Sequence, residues 1–304
     1  MKYKILCLRG LMMLMFFCSS TMSVRAQSSV VADSLLNRLR IVKGSEKLEL
    51  YSSICTESAG QNSVKNELHL LNEYKQEACR QENVDHEAQA RTLRLYAFYN
   101  NNLSDSLKAS LEDDLNFFEK HGKWELYYSC RSLGIERMQY DNKFQSALRE
   151  SQSMYEDANR QHNDYGKGVS AYQIASCYQS MGRNKEAADF FLRAEQLLLK
   201  YKNVGQLHNL YAMAWQALAT AGMNEELLKM VDRWEAMWQE YCKTNHCELS
   251  SIRAYYLVCL LARAHVCIQD KKLPEARKVL EQAETFAQGQ RDVARALLLK
   301  EQGL

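Results

Sequence analysis

Tyr178–Leu197, YQSMGRNKEAADFFLRAEQL, sets a tyrosine four residues before Gly182 and then places Ala187, Phe191 and Ala194 at steps of five, four and three. Steps of three and four return to one face of a helix, and a glycine between two such runs marks a turn. The stretch therefore predicts two helices joined by a tight turn. Tyr178 fills space at the end of the first helix, Gly182 supplies a left-handed residue, and Ala187 is small because the two helices cross closely there. Phe191 and Ala194 continue the same buried face.

The pattern recurs along the chain. Forty residues earlier it reads Met138, Asn142, Ala147, Ser151 and Met154, and forty earlier again Phe98, Asn102, Leu107 and Leu111. Forty later it reads Leu218, Gly222, Leu227, Val231 and Trp234, and after a longer connection Cys267, Lys271, Ala276, Leu280 and Ala283. A looser copy reads Cys55, Ala59, Val64, Leu68 and Leu71. A fixed period of this length marks an array in which each helix pair is too small to hide its apolar face and relies on its neighbours. Composition agrees: among 304 residues there is one proline and there are 12 glycines, too little turn punctuation for a sheet protein. Pairs are expected over about 46–80, 86–120, 123–161, 165–201, 205–242 and 250–288. Pro274 falls in the first turn of a second helix, where its missing N–H costs nothing. Thr244–Ser251, TNHCELSS, is the longest interruption, with Ser250 or Ser251 as a cap for the next helix.

Tyr178, Gly182, Ala187, Phe191 and Ala194, with Ala147, Leu227 and Ala276 at matching positions, resemble the tetratricopeptide repeat (TPR) family. The resemblance implies an all-α, TPR-like solenoid of about six helix–turn–helix units, wound as a right-handed superhelix. Two departures stand out: the period is 40, where the family norm is shorter, and the proline that usually closes each unit is missing. The domain organisation expected is a signal peptide at 1–26, a lead-in segment at 27–45, the repeat domain at 46–291, and an unpaired first helix of a further repeat at 292–304. That last helix, with Ala294, Leu297, Leu298 and Leu299, suggests either a longer chain or a homodimer through the C-terminal helix.

Residues 1–26 combine a basic start, the apolar run LMMLMFFCSS and a small-residue cleavage site at Val24 and Ala26. They predict export to the periplasm with a mature chain beginning at Gln27. In a lipoprotein Cys18 would be acylated instead, although Phe16 and Phe17 before it are bulky for that peptidase. Cleavage removes Lys2, Lys4, Arg9 and Arg25 from the 39 basic residues, leaving 35 against 37 acidic ones. Without a basic patch, nucleic acid is not an expected partner. Tyr255–Ile268 is apolar but carries Arg263 and His265 in its middle, as a buried helix would and a membrane span would not.

Eight cysteines follow the leader, most at apolar helical positions where cysteine acts as a small hydrophobe. Cys242 and Cys247 flank the loop CKTNHC and could be a disulfide in an oxidising compartment, a solvated loop, or with His246 part of a metal site that lacks a fourth ligand. No metal is assigned and no cofactor is expected. The remaining histidines, His208 among them, read as surface or helix-end residues, and Glu112, Asp113 and Asp114 as a solvated run. No catalytic motif is present, so catalytic residues are not assigned and the chain is read as a non-enzyme. The resemblance implies a groove lined by first helices, with binding candidates Ser132, Glu136, Gln139, Tyr172, Ser176, Gln179, Asn209 and Gln216, for a protein or peptide partner. It further implies the extracytoplasmic sensing part of a membrane-anchored signalling regulator, such as a sensor histidine kinase. A stand-alone periplasmic adaptor for envelope assembly or glycan handling is the alternative, and a metal- or thiol-dependent enzyme the third.

Overall fold

The computed structural model describes residues 38–57 and 63–287. The leader, Ala59 of the loosest repeat copy and the segment 292–304 lie outside the described residues. Among the described residues there are twelve α-helices and no strand. They are α1 Ser45–Glu57, α2 Val64–Arg80, α3 Val84–Asn100, α4 Ser104–Lys120, α5 Trp124–Tyr140, α6 Phe144–Arg160, α7 Asp164–Ser180, α8 Asn184–Leu198, α9 Val204–Ala221, α10 Asn224–Thr244, α11 Arg253–Gln269 and α12 Leu273–Ala287. Helices joined by short turns at the expected places make an all-α helical-repeat fold. Contacts divide the chain into two compact units, one through Ala147 and one from Leu148.

The turns explain the spacing. Gly182 has φ +79° and Gly222 φ +74°, and Asn102, Asn142 and Lys271 take the same left-handed conformation at the matching positions. The turns after the second helices do so too, at Glu82, Gly122, His162 and Lys202. From Glu82 to Gly222 a left-handed residue stands at every twentieth position, and α2 to α7 are each 17 residues long. The true cadence is thus one 17-residue helix plus a three-residue turn. At most of these turns the N–H three places after the helix reaches back five residues, as Arg183 N to Tyr178 O at 2.9 Å and Lys123 N to Phe118 O at 2.8 Å, whereas the turn at Lys202 follows a 3-10 segment, Leu199–Tyr201. The left-handed N–H reaches back three, as Gly182 N to Gln179 O at 3.0 Å. This satisfies carbonyls a helix end would leave bare.

Three of the turns before first helices differ from the others in their next residue, while Lys123 before α5 makes no side-chain cap bond. Asn83, Asn163 and Asn203 accept the N–H of the residue three on, capping first helices α3, α7 and α9. Leu103, Arg183 and Met223, which precede second helices, make no such bond. Neither Ser250 nor Ser251 caps α11: a 3-10 turn over Leu249–Ile252 leads into it, and the Ser250 hydroxyl bonds Glu248 instead.

Burial follows the repeat register. Ala147, Ala187, Phe191, Ala194, Leu227 and Trp234 are all fully buried, and Ala276 nearly so. Tyr178 is only half-buried: its ring covers the turn, packed on Phe190 at 5.7 Å and under the Arg183 guanidinium at 4.4 Å. In the C-terminal unit, a Cβ on Gly168 would meet Leu198 at 2.7 Å, so α7 and α8 cross at the distance only a glycine permits. Leu249–Gln269 is long and apolar enough to cross a membrane by length and composition, but Leu257, Cys259, Leu260, Leu261 and Ala262 within it are buried against neighbouring helices. Its apolar residues already have protein partners.

Candidate functional site

Within each unit, consecutive first helices are tied by polar bonds about one repeat apart. In the N-terminal unit Gln89 Nε2 donates to Ser52 at 2.7 Å, joining α3 to α1. Tyr99 donates to Glu136 at 2.8 Å, joining α3 to α5. In the C-terminal unit Gln206 Nε2 donates to the Tyr165 hydroxyl at 3.2 Å, and Gln179 Nε2 to Met213 O at 3.0 Å, both joining α9 to α7. Polar residues on these faces hold the array together before they can meet any ligand.

That bears on the eight candidates. Ser132, Gln139, Ser176 and Gln179 are buried, with the Ser132 hydroxyl on Ser129 O. Glu136 is half-buried and engaged by Tyr99, and Tyr172 packs its ring against Phe191 at 5.9 Å. Asn209 and Gln216 on α9 are half-buried. Ser132, Glu136 and Gln139 belong to the N-terminal unit and the other five to the C-terminal unit, on α7 and α9.

Sequence reading missed one feature of that helix pair. Gln179 Oε1 and Gln206 Oε1 are both buried and receive no hydrogen bond among the described residues. Each carboxamide uses its N–H₂ on the neighbouring helix and leaves its acceptor unused. A buried acceptor without a donor costs about 1–3 kcal/mol. The signal in the sequence is slight: Gln206 sits three residues past the Asn203 cap, and nothing there marks its oxygen as idle.

Two sequence expectations are corrected. Asp114 is not on a solvated face: it is fully buried, with Arg91 at 2.5 Å and Arg94 at 3.2 Å. It occupies the register position of Met154, Ala194 and Trp234, so the repeat drives it inward and the arginines of α3 neutralise it. Burial opposes the charge on Arg91, yet its bonds to Asp113, Glu87 and Asp114 raise its pKa. Likewise His208 is not at the surface. It is buried among Trp234, Trp238 and Tyr255, with ring centroids 5.4, 5.3 and 5.0 Å away, and accepts a hydrogen bond from Trp234 Nε1 at 3.2 Å. Burial pushes its pKa down to about 3, so it is neutral with the proton on Nε2.

Cys55, Cys130, Cys177, Cys242, Cys259 and Cys267 are buried, Cys247 is half-buried and Cys79 exposed. Among the described residues no group of three His, Cys, Asp or Glu side chains is placed to hold a metal ion.

No family model matches the sequence, and no curated protein does either. Solved structures do. A Rap protein complexed with competence and sporulation factor superposes with a TM-score of 0.56 at 14% identity, over 90% of this chain and 78% of that one. Aspartyl phosphate phosphatase F from Bacillus subtilis gives 0.52 at 12% identity, over 84% and 70%. TPR-like repeats of a kinesin light chain from Podosopora anserina give 0.48 at 14% identity, over 67% and 96%. At these identities the likeness to the first two is one of fold alone, an all-α helical repeat.

Proposed function

We propose that the chain is a non-catalytic helical-repeat scaffold that binds an extended peptide or protein segment along α7 and α9. The observation that carries this is the half-buried face of these adjacent first helices, with Tyr172 on α7 and Asn209 and Gln216 on α9. Side-chain amides such as these offer both a donor and an acceptor to the backbone of an extended segment. Tyr172 supplies an apolar body beside them. A photo-crosslinking side chain at Asn209 is expected to give a discrete peptide or protein adduct in envelope extracts, and one at exposed Lys229 on α10 is not. Equal adducts at both, or none from Asn209, would remove the proposal.

The compartment belongs to the same proposal. The leader at 1–26 supports export, and with the TPR resemblance it supports the sensing part of a membrane-anchored regulator. N-terminal sequencing of the chain from the periplasmic fraction is expected to begin at Gln27. Recovery of an intact Met1 from the cytosol would contradict it.

A further inference from the structure

We propose that Cys242 and Cys247 form an intrachain disulfide across the C-terminal cap of α10, which makes this turn a thiol–disulfide modification site.

The repeat turn itself brings the two residues together. In a cap of this kind the residue two before the last helical residue and the third residue after it share a backbone bond, which sets their side chains on the same side of the turn. Tyr178 and Arg183 hold these two places at the α7 cap, with the guanidinium 4.4 Å from the ring centre. At the α10 cap His246 is the left-handed residue, with φ +51°, and Cys247 N bonds Cys242 O at 2.9 Å. The same two places are therefore cysteines. Both are free thiols, and burial together with the nearby Cys247 thiol pushes Cys242 up to about 11.

The asymmetry between them sets the order of events. Cys247 is half-buried and Cys242 buried, so Cys247 meets an incoming reagent first. Its thiolate attacks one sulfur of an external disulfide, such as oxidised glutathione or the active-site disulfide of a thiol oxidoreductase, and a thiolate leaves. Cys242 then loses its proton and attacks the Cys247 sulfur of the mixed disulfide, and the second thiolate leaves. The two cysteines are oxidised, the external disulfide is reduced to two thiols, and two protons pass to solvent or to those thiolates. The cap geometry carries this pairing, which stands whether or not the chain is exported.

The full-length chain incubated with oxidised glutathione, quenched in acid and alkylated after unfolding is the test. Labelling of Cys242 and Cys247 is expected to fall together to near zero, with their peptides recovered as a linked pair, while Cys79 and Cys259 do not become linked to either. Cys247→Ser is expected to restore full labelling of Cys242, with an unchanged circular dichroism spectrum. Lasting glutathione on Cys247, free labelling of both thiols, or protection of Cys242 that survives Cys247→Ser would each overturn the proposal.

Discussion

In the N-terminal unit, helix α3 buries four of its 17 residues, Ala88, Ala90, Leu95 and Ala97. In the C-terminal unit α7, of the same length, buries twelve, among them Gly166, Gly168, Ser170, Ala171, Ala175 and Ser176. The spacing of the left-handed turn residues is the same in both. What differs is how the helices are held. Around α3 the connections are charged or strongly polar: Arg91 and Arg94 reach Asp114, and the Tyr74 hydroxyl lies 2.6 Å from His86 and 2.8 Å from Gln89. Around α7 small residues let the partner helix approach until side chains interlock. One backbone plan thus tolerates two kinds of cohesion, and the two should fail differently.

The sharpest contrast is at Asp114. Asp114→Met, which installs the residue found at the matching place in α6, is expected to cost about 3 kcal/mol in urea unfolding, because Arg91 and Arg94 lose their buried partner. A neutral outcome would mean that the ion pair is not needed. At the dry end, Gly168→Ala drives a Cβ against Leu198, and a loss of about 2 kcal/mol is expected in the same measurement. Gly134→Ala, which meets Leu111 at 3.1 Å in the N-terminal unit, should cost less.

His208 separates the units by pH. Its folded pKa, about 3, lies below the ordinary 6.5, so the folded state binds fewer protons than the unfolded one. Stability from this group is complete above pH 6.5 and is lost as pH falls toward 3, at up to about 1.4 kcal/mol per pH unit. His208→Phe is expected to flatten the dependence of Tm on pH between 6.5 and 4. An unchanged slope would place the titration elsewhere.

The smallest effects belong to the turns. Gly182→Ala should lower stability by about 1 kcal/mol, and Lys202→Gly should raise it by a similar or smaller amount, because only glycine sits at positive φ without strain. If both changes lower stability, side-chain contacts outweigh backbone conformation at these caps.

Much of the fold was legible in the sequence, because Gly182 and the residues after it carry their spacing through most of the copies. The 20-residue cadence was not, since Glu82, His162 and Lys202 adopt the left-handed turn without glycine, and a pattern keyed to glycine passes over them. Asp114 shows a different failure. Its register position was readable, but the neighbouring Glu112 and Asp113 made the run look solvated, and charge pairing across helices has no local signal. For the candidate site, sequence identified polar faces on α5, α7 and α9. It could not say that Glu136 and Gln179 already serve neighbouring helices, because that depends on which side chains meet one repeat away.

The uniform turn has an evolutionary consequence for the length of the chain. Its backbone does not distinguish a helix of one layer from a helix of the other, so parity is carried by side chains alone: the asparagine caps before α3, α7 and α9, and the small residues within the helix that follows Gly182. Inserting one 20-residue module would keep every turn intact and yet assign each later helix to the wrong layer, exposing alanines and burying glutamines. Insertion of two modules would keep both the turns and the alternation of helices, in step with the 40-residue period of the sequence.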